Sequence, residues 1–161
     1  HERLVYEKLK KDFFEKKIKT QILLIPVVID IDSSVIKNLE KKLQHVCEYG
    51  VKMEIFSKTS VIVRELPHIL ANCNVKKLAI DLIEELLDTD DSKSVENEIN
   101  KICSKMACHG SIRAGRDLQV DEMNDLLRKM ESTPFSGQCN HGRPTYVELK
   151  ISDIEKLFGR K

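Results

Sequence analysis

The sequence predicts an α+β fold of mixed strands and helices. Apolar residues recur at helical spacing in several segments, and two other segments alternate between apolar and polar side chains as half-buried strands do. A further apolar run is rich in β-branched residues, which favour strands. The chain of 161 residues is long enough for one ordinary domain, or for two small lobes that share a core.

The first two predicted elements are a helix at residues 1–17 and a strand at 21–31. In the helical segment apolar residues recur every four positions and form one stripe. The strand segment is almost continuously apolar, so we expect it to be buried. Pro26 interrupts it, and because proline cannot donate to a strand ladder, the segment should lie at an edge or cross between two lobes.

The middle of the chain then predicts a helix, two strands and two more helices. These elements are expected at about 34–50, 51–56, 60–66, 75–86 and from residue 94 onward. Asp32 and the two serines after it form a good helix start, and Gly50 is a natural helix stop. A polar stretch, 88–94, separates the last two helices. Residues 34–103 could therefore form a compact α+β lobe of their own.

The C-terminal part predicts a helix, a strand and a short final helix. Asp121 and Glu122 open the first helix, and its apolar residues are expected to face inward. They are Met123, Leu126, Leu127 and Met130. Residues 145–151 alternate as a strand, and Ser152 with Glu155 forms a capping-box pattern for a helix ending at Phe158.

Composition excludes several classes of protein. The net charge is only +1, so there is no strong nucleic-acid signature, and no apolar run approaches the length of a membrane span. A Gly-rich phosphate loop is absent, so we expect no nucleotide site.

The odd count of five cysteines favours a reducing cytoplasm, with Cys47, Cys73 and Cys103 as packing residues. The chain opens on His-Glu-Arg without a signal peptide or an initiator Met, which we interpret as a fragment of a longer protein.

One loop carries a possible metal-binding pattern. Cys139 and His141 lie two residues apart, a spacing that lets one loop present a thiol and an imidazole to a single ion. Two ligands alone do not make a site. Glu2 and Glu7, five residues apart on the first helix, point about 140° apart and are not expected to bind one ion together. On the residues alone, both glutamates are better explained as solvated helix charges.

Taken together, several segments resemble the C-terminal domain of the DNA mismatch-repair protein MutL. The segment His-Glu-Arg-Leu-Val-Tyr-Glu at 1–7 resembles the end of the family's endonuclease motif, DQHA-x-x-E-x-x-x-x-E. Ala-Cys-His at 107–109 is similar to its ACR or ACK motif, and Cys-Asn-His-Gly-Arg-Pro at 139–144 is similar to CPHGRP. Phe-Gly-Arg at 158–160 matches a terminal F-x-R. The matching segments span nearly the whole chain in order.

The resemblance implies a two-lobed architecture. Residues 1–33 and 104–161 would form a dimerisation and endonuclease lobe, into which a regulatory lobe at 34–103 is inserted. It also implies a homodimer whose interface lies in the first lobe. Beyond self-association, the implied partners are DNA, the mismatch-recognition protein MutS and the replication sliding clamp, in a cytoplasmic, nucleoid-associated setting.

The resemblance further implies a latent endonuclease that nicks DNA with divalent metal, zinc or manganese or both. Catalytic roles map onto Glu2, Glu7 and Arg160, and metal ligation maps onto Glu2, Cys139, His141 and Cys108. The Asp and His of DQHA would precede His1 and are absent, so this stretch could bind metal poorly and could fail to nick DNA. Asn140 replaces a proline of the motif, and His109 replaces an Arg or Lys that carries a permanent charge.

Gln21 to Pro26 resembles the Q-x-x-[LI]-x-P motif by which the family docks on the sliding clamp. Gln21 would be the polar anchor, with Leu24 and Pro26 completing the motif. The alternative interpretation is that this segment is only a core strand.

Two other functions stay open at this stage. The first is a non-catalytic dimerisation module in which the metal motif is structural or vestigial. The second is a zinc-stabilised interaction domain, which would need only Cys139, His141 and Cys108.

Overall fold

The computed structural model of the chain describes residues 1–88, 95–113 and 115–159. Its helices and strands agree with the predicted α+β class. In chain order they are α1 (Glu2–Phe14), β1 (Thr20–Asp30), α2 (Ser33–Cys47), β2 (Lys52–Ser57), β3 (Ser60–Pro67), a 3-10 turn (His68–Leu70), α3 (Val75–Asp88), α4 (Val95–Gly110), α5 (Val120–Ser132) and α6 (Ile151–Leu157). No helix in the described ranges is both long enough and apolar enough to span a bilayer.

The three strands form one antiparallel sheet in the order β1-β3-β2. β1 pairs with β3 at both of its ends, from Thr20 opposite Pro67 and again from Val27 opposite Val63. Between Ile22 and Val27 the register shifts, because five steps along β1 correspond to two steps along β3. The intervening residues therefore bulge away from the regular ladder.

The expectation that residues 21–31 form a buried strand is wrong for the first half of β1. The side chains of Ile22, Leu24 and Ile25 are 77%, 98% and 79% exposed. β1 is an edge strand of the described sheet, as Pro26 suggested, and the bulge leaves Leu24 and Ile25 outside the regular ladder. Apolar content alone could not reveal this, because burial depends on whether another element covers the strand.

One contiguous core holds the helices against the sheet. α1 packs on α4, α2 packs on β2, and α3 packs on both α4 and β1. The largest fully buried side chains come from β1, α2, β3, α3 and α4, from the 3-10 turn, and from the residue just before β2. They are Ile29, Leu39, Val46, Val51, Val61, Val63, Leu66, Leu70, Leu78, Leu82, Ile102 and Met106. The core includes residues from all three predicted segments of the two-lobed arrangement, whose boundaries stay a prediction.

Both ends of α2 follow from local chemistry. The Asp32 side chain accepts a hydrogen bond from the backbone N–H of Ser34 at 2.8 Å, which satisfies one of the unpaired donors of the first turn. This bond also holds the pKa of the Asp32 carboxyl below its usual value. Gly50 follows the helix with a φ of +79°, a conformation that side chains disfavour. The predicted start and stop are both confirmed.

The C-terminal part departs from the prediction in three ways. Residues 146–150 carry no strand, and the bridge that the described residues form next to them joins Gln138 to Pro144. An alternating sequence becomes a strand only when a partner pairs with its backbone groups, and no described segment does so here. The final helix begins after Lys150, not Ser152. Met123 and Leu127 of α5, expected to face inward, are 46% and 51% exposed.

The three cysteines expected to be packing residues differ in burial. Cys103 is 1% exposed inside the core, and burial raises the pKa of its thiol to about 12. Cys73 is half-buried, and desolvation also raises its pKa. Cys47 is exposed on the last turn of α2, so its assignment as a packing residue is wrong. The elevated pKa values keep Cys73 and Cys103 as thiols at neutral pH.

Replacing Gly50 with Ala should destabilise the protein. The new Cβ would lie 2.6 Å from Ile18 Cγ2, and its backbone would keep a φ of +79°. Left-handed backbone and overpacking together should lower the free energy of unfolding by about 2–4 kcal/mol, measured by urea denaturation. Gly115→Ala is the matched control, because Gly115 has a φ of +87° but no described atom lies within 4 Å of the added Cβ. Equal losses for the two variants would contradict the role assigned to close packing at Gly50.

Candidate functional site

A short hairpin presents the Cys-x-His pair. Gln138 and Pro144 form an antiparallel bridge, and inside it the Cys139 N–H donates to the Arg143 carbonyl at 2.8 Å. The Gly142 N–H donates to the Cys139 carbonyl at 3.0 Å, and its φ of +76° makes this turn possible. These bonds fix the backbone on both sides of Asn140 and of the histidine that follows it.

The hairpin meets the first turn of α1. Asn140 Nδ2 donates to Glu2 Oε1 at 3.0 Å, and His141 Nδ1 lies 3.7 Å from the same carboxylate oxygen. The His141 side chain is 66% exposed, whereas that of Glu2 is 23% exposed. A carboxylate and an imidazole, the types of donor that zinc and manganese accept, are therefore neighbours although 139 positions separate them in sequence.

Asn140 is the residue whose role the sequence did not reveal. In the sequence it stands out only as a replacement for a proline of the motif, yet its amide is the direct hydrogen-bond partner of Glu2. Its Oδ1 is buried and has no hydrogen-bond partner in the described part of the chain. A buried carbonyl oxygen without a partner, beside a carboxylate, is the sort of atom that a bound cation would satisfy.

The donors present fit a metal only in part. Within the three described ranges, no three or more His, Cys, Asp or Glu side chains cluster closely enough to hold an ion. Cys139 is half-buried in the hairpin, and Cys108 is exposed in the last turn of α4. A closed zinc site needs four ligands, so Glu2 and His141 would form one side of a site that further donors must complete.

Glu7 is engaged elsewhere on α1. It forms an ion pair with Arg3 at 2.7 Å, one helical turn away, with both side chains about one-fifth exposed. The Arg3 guanidinium also lies 5.2 Å from the centre of the Tyr6 ring and 5.4 Å from that of Phe135. These cation–π contacts connect α1 to the segment that enters the hairpin. Arg160, the remaining predicted catalytic residue, lies outside the described residues.

Cys108 and His109 occupy the last turn of α4 and face different environments. His109 is 7% exposed, and its Nε2 lies 2.7 Å from Asp81 Oδ2 of α3. Because an ionised carboxylate only accepts, Nε2 is the donor. Gly110 follows, and a Cβ there would lie 2.4 Å from Leu70 Cδ2. Because it has no side chain, Gly110 permits the close approach of the 3-10 turn.

The segment that resembles a clamp-docking motif lies on the exposed half of β1. His68 Nδ1 and Gln21 Oε1 are 3.0 Å apart, so the ring donates to the amide oxygen. Leu24 is almost fully exposed and Pro26 is exposed beside it. This exposure differs from what a core strand requires.

A second exposed apolar surface extends from α5 to the C-terminal end of the described chain. It comprises Val120, Met123, Leu127, Phe135, Tyr146, Val147, Leu149, Ile151, Ile154, Leu157 and Phe158. We call it the C-terminal apolar surface. Single exposed apolar residues are ordinary, but an exposed set of this size is a candidate interaction site.

Comparison with known proteins agrees with the resemblance seen in the sequence. The sequence profile of the MutL C terminal dimerisation domain matches residues 1–118. The whole chain is 48% identical to the DNA mismatch repair protein MutL of Rhodopseudomonas palustris strain BisA53 and covers 27% of that protein. It is 47% identical, over its full length, to the proteins of the same name from Afipia carboxidovorans and Bradyrhizobium diazoefficiens, of which it covers 26% and 27%. The chain thus spans about a quarter of the length of these relatives, and it belongs to the MutL C-terminal dimerisation domain family.

Proposed function

We propose that this chain is the part of a mismatch-repair protein that pairs two copies and carries one side of a metal-dependent DNA-nicking site. The observation that supports the nicking site most directly is the contact of Glu2 with the Cys139–His141 hairpin, at 3.0 Å through Asn140 and 3.7 Å to His141. The names of the relatives support mismatch repair as the process.

In this proposal the residues of the chain bind and orient, and the metal supplies the chemistry. A bound divalent ion would orient an attacking water and stabilise the leaving oxygen of the phosphodiester. Glu2, Cys139 and His141 would be ligands, with Asn140 orienting the Glu2 carboxylate from behind. Cys108 would be a ligand or a neighbour of one. The remaining donors would come from outside the described residues.

A non-catalytic dimerisation module remains the second candidate. The observation that favours it is the lack of any cluster of three or more metal-binding side chains in the described ranges. The two candidates predict different results when Glu2, Cys139 or His141 is replaced, because only the first requires these residues for DNA cleavage.

Removing the proposed metal ligands should abolish nicking. In the full-length protein, we expect Glu2→Ala, Cys139→Ala and His141→Ala to eliminate manganese-dependent nicking of supercoiled DNA, measured by gel electrophoresis. Asn140→Ala should weaken metal binding by about 10–100-fold, as loss of a residue that orients a ligand does. Cys47→Ala is the control, since Cys47 is an exposed thiol on α2 away from the hairpin. Nicking by the Cys139 and His141 variants at the parent's rate would favour the non-catalytic module.

We further propose that two copies pair through the C-terminal apolar surface. The backbone of residues 146–150 has no strand partner, and the side chains of Val147 and Leu149 are 74% and 61% exposed. A second copy would cover these side chains and could form strand hydrogen bonds with the backbone of residues 146–150.

Charged substitutions in this surface should therefore dissociate the dimer. Val147→Asp combined with Leu149→Asp should raise the dissociation constant roughly tenfold or more, measured by analytical ultracentrifugation. Phe56→Asp is the control, because Phe56 is 60% exposed on β2 and lies outside the C-terminal apolar surface. A parent chain that sediments as a monomer far above micromolar concentration would contradict the proposed pairing.

The exposed bulge of β1 is the proposed contact with the replication sliding clamp. An apolar side chain that is 98% exposed, Leu24, with an amide and a proline at motif spacing, is typical of a peptide that fills a groove. The mismatch-recognition protein MutS, DNA, and a cytoplasmic, nucleoid-associated location complete the proposed setting.

Removing the exposed motif side chains should weaken clamp binding and leave the fold intact. We expect Gln21→Ala with Leu24→Ala to reduce affinity for the clamp at least tenfold, measured by surface plasmon resonance. Stability should change by less than about 0.5 kcal/mol, because surface substitutions of this type are nearly neutral. Val28→Ala, on the same strand but beyond the motif, is the control. Loss of the fold would instead support the core-strand interpretation, and unchanged clamp binding would contradict docking at this segment.

A further inference from the structure

A large cleft opens where α1, α3, α5 and the end of α4 converge. Its volume is about 1040 Å³, and residues from these helices, from the 3-10 turn and from the α4–α5 connection line it. Apolar residues such as Leu4, Leu70, Ile112 and Leu126 are among those that line it. None of the predicted metal ligands or clamp-docking residues lines the cleft, so it is distinct from both sites described above.

Cationic side chains outnumber carboxylates among the residues that line the cleft. Five cationic side chains line it, Lys8, Lys77, Arg113, Arg116 and Lys129, against two carboxylates. This contrasts with a net charge of +1 for the whole chain. Basic residues far apart in sequence have therefore been gathered on one concave surface, which composition alone could not reveal.

Three of the five cations are already held in ion pairs: Arg116 with Glu122, Lys129 with Asp125 at 2.5 Å, and Lys8 with Asp12 at 2.8 Å. Lys77 and Arg113 form no ion pair with any carboxylate of the described ranges. Their charges are exposed at the cleft and available to an anionic ligand.

The cleft is tethered to the proposed nicking site. The Ile112 N–H donates to His1 Nδ1 at 3.1 Å, which holds the connection carrying Arg113 against the N-terminal end of α1. His1 lines the cleft, and Glu2, the adjacent residue, contacts the Cys139–His141 hairpin. A polyanion whose negative charges repeat along its backbone could lie in the cleft and extend toward Glu2.

We propose that this cleft binds the phosphodiester backbone of the DNA that the protein nicks. Lys77 and Arg113 contact phosphates directly, because they are the cations lining the cleft that no carboxylate of the described ranges neutralises. No Phe or Tyr is among the residues lining the cleft in the described ranges, so there is no platform for stacking bases. The contact is therefore with backbone, and binding is independent of base sequence. The identification of the ligand as DNA rests on the proposed nicking function.

The test is a charge reversal with a matched control. Fluorescence anisotropy would measure binding of the full-length protein to a labelled duplex of mixed sequence at several salt concentrations. Lys77→Glu with Arg113→Glu should weaken binding at least tenfold and reduce the slope of log affinity against log salt by about 1.8, roughly 0.9 per lost phosphate contact. Lys76→Glu with Lys58→Glu makes the same change of charge at two exposed lysines that do not line the cleft, and should leave the affinity within about twofold of the parent. Lys77→Arg with Arg113→Lys should retain binding, which separates charge from folding.

Two results would overturn the proposal. One is unchanged DNA affinity in the cleft variant, and the other is an equal loss in the control variant. If the cleft variant keeps its DNA affinity but loses binding to a polyglutamate peptide, the cleft takes an acidic protein segment instead. Glu2→Ala separates this inference from the nicking proposal, because it should abolish nicking and leave DNA affinity unchanged. If Glu2→Ala nicks normally while the cleft variant fails to bind DNA, then the nicking site is wrong and the cleft assignment stands.

Discussion

The packing of α1 against α4 is the contact on which the rest of the functional surface depends. Val5 and Leu9 are buried in the same core as Ile102 and Met106 of α4. At the helix surface, Tyr6 and Lys10 both donate to Asn100 Oδ1 at 2.8 Å, which fixes the rotation of α1. With that rotation set, one end of α1 meets the Cys139–His141 hairpin and one side borders the cationic cleft. A change in this packing would disturb both together.

Elements with strong local patterns were predictable, and those that depend on distant partners were not. The start of α2 follows from the Asp32 cap, and the β2–β3 hairpin follows from alternation, because both are determined by neighbours in sequence. The exposed half of β1 was misjudged since apolar content does not say whether anything covers a strand. Residues 146–150 alternate as a strand should, but a strand requires a partner that no described segment supplies.

In the candidate site, residue spacing and family resemblance predicted different features. The helical angle between Glu2 and Glu7 was enough to expect that they act separately, and Glu7 pairs with Arg3 on another face of α1. Assigning Glu2 and His141 to one site needed the family resemblance, because nothing local connects two residues at opposite ends of the chain. The bond from Asn140 to Glu2 could not be foreseen, since hydrogen-bond partners across 138 positions are set by the fold. The cluster of basic residues in the cleft could not be foreseen for the same reason, because the fold brings together residues that are distant in sequence.

The bulge in β1 has a consequence for how that edge of the sheet meets other molecules. A regular edge strand offers a row of free N–H and C=O groups onto which another chain can add as a further strand. Here the register shift between Ile22 and Val27 breaks that row, and Pro26 removes one donor altogether. The interrupted edge is therefore a poor template for an extended β-sheet, even though it displays large apolar side chains. The bulge thus guards this edge against edge-to-edge aggregation while leaving the side chains of Ile22, Leu24 and Ile25 exposed.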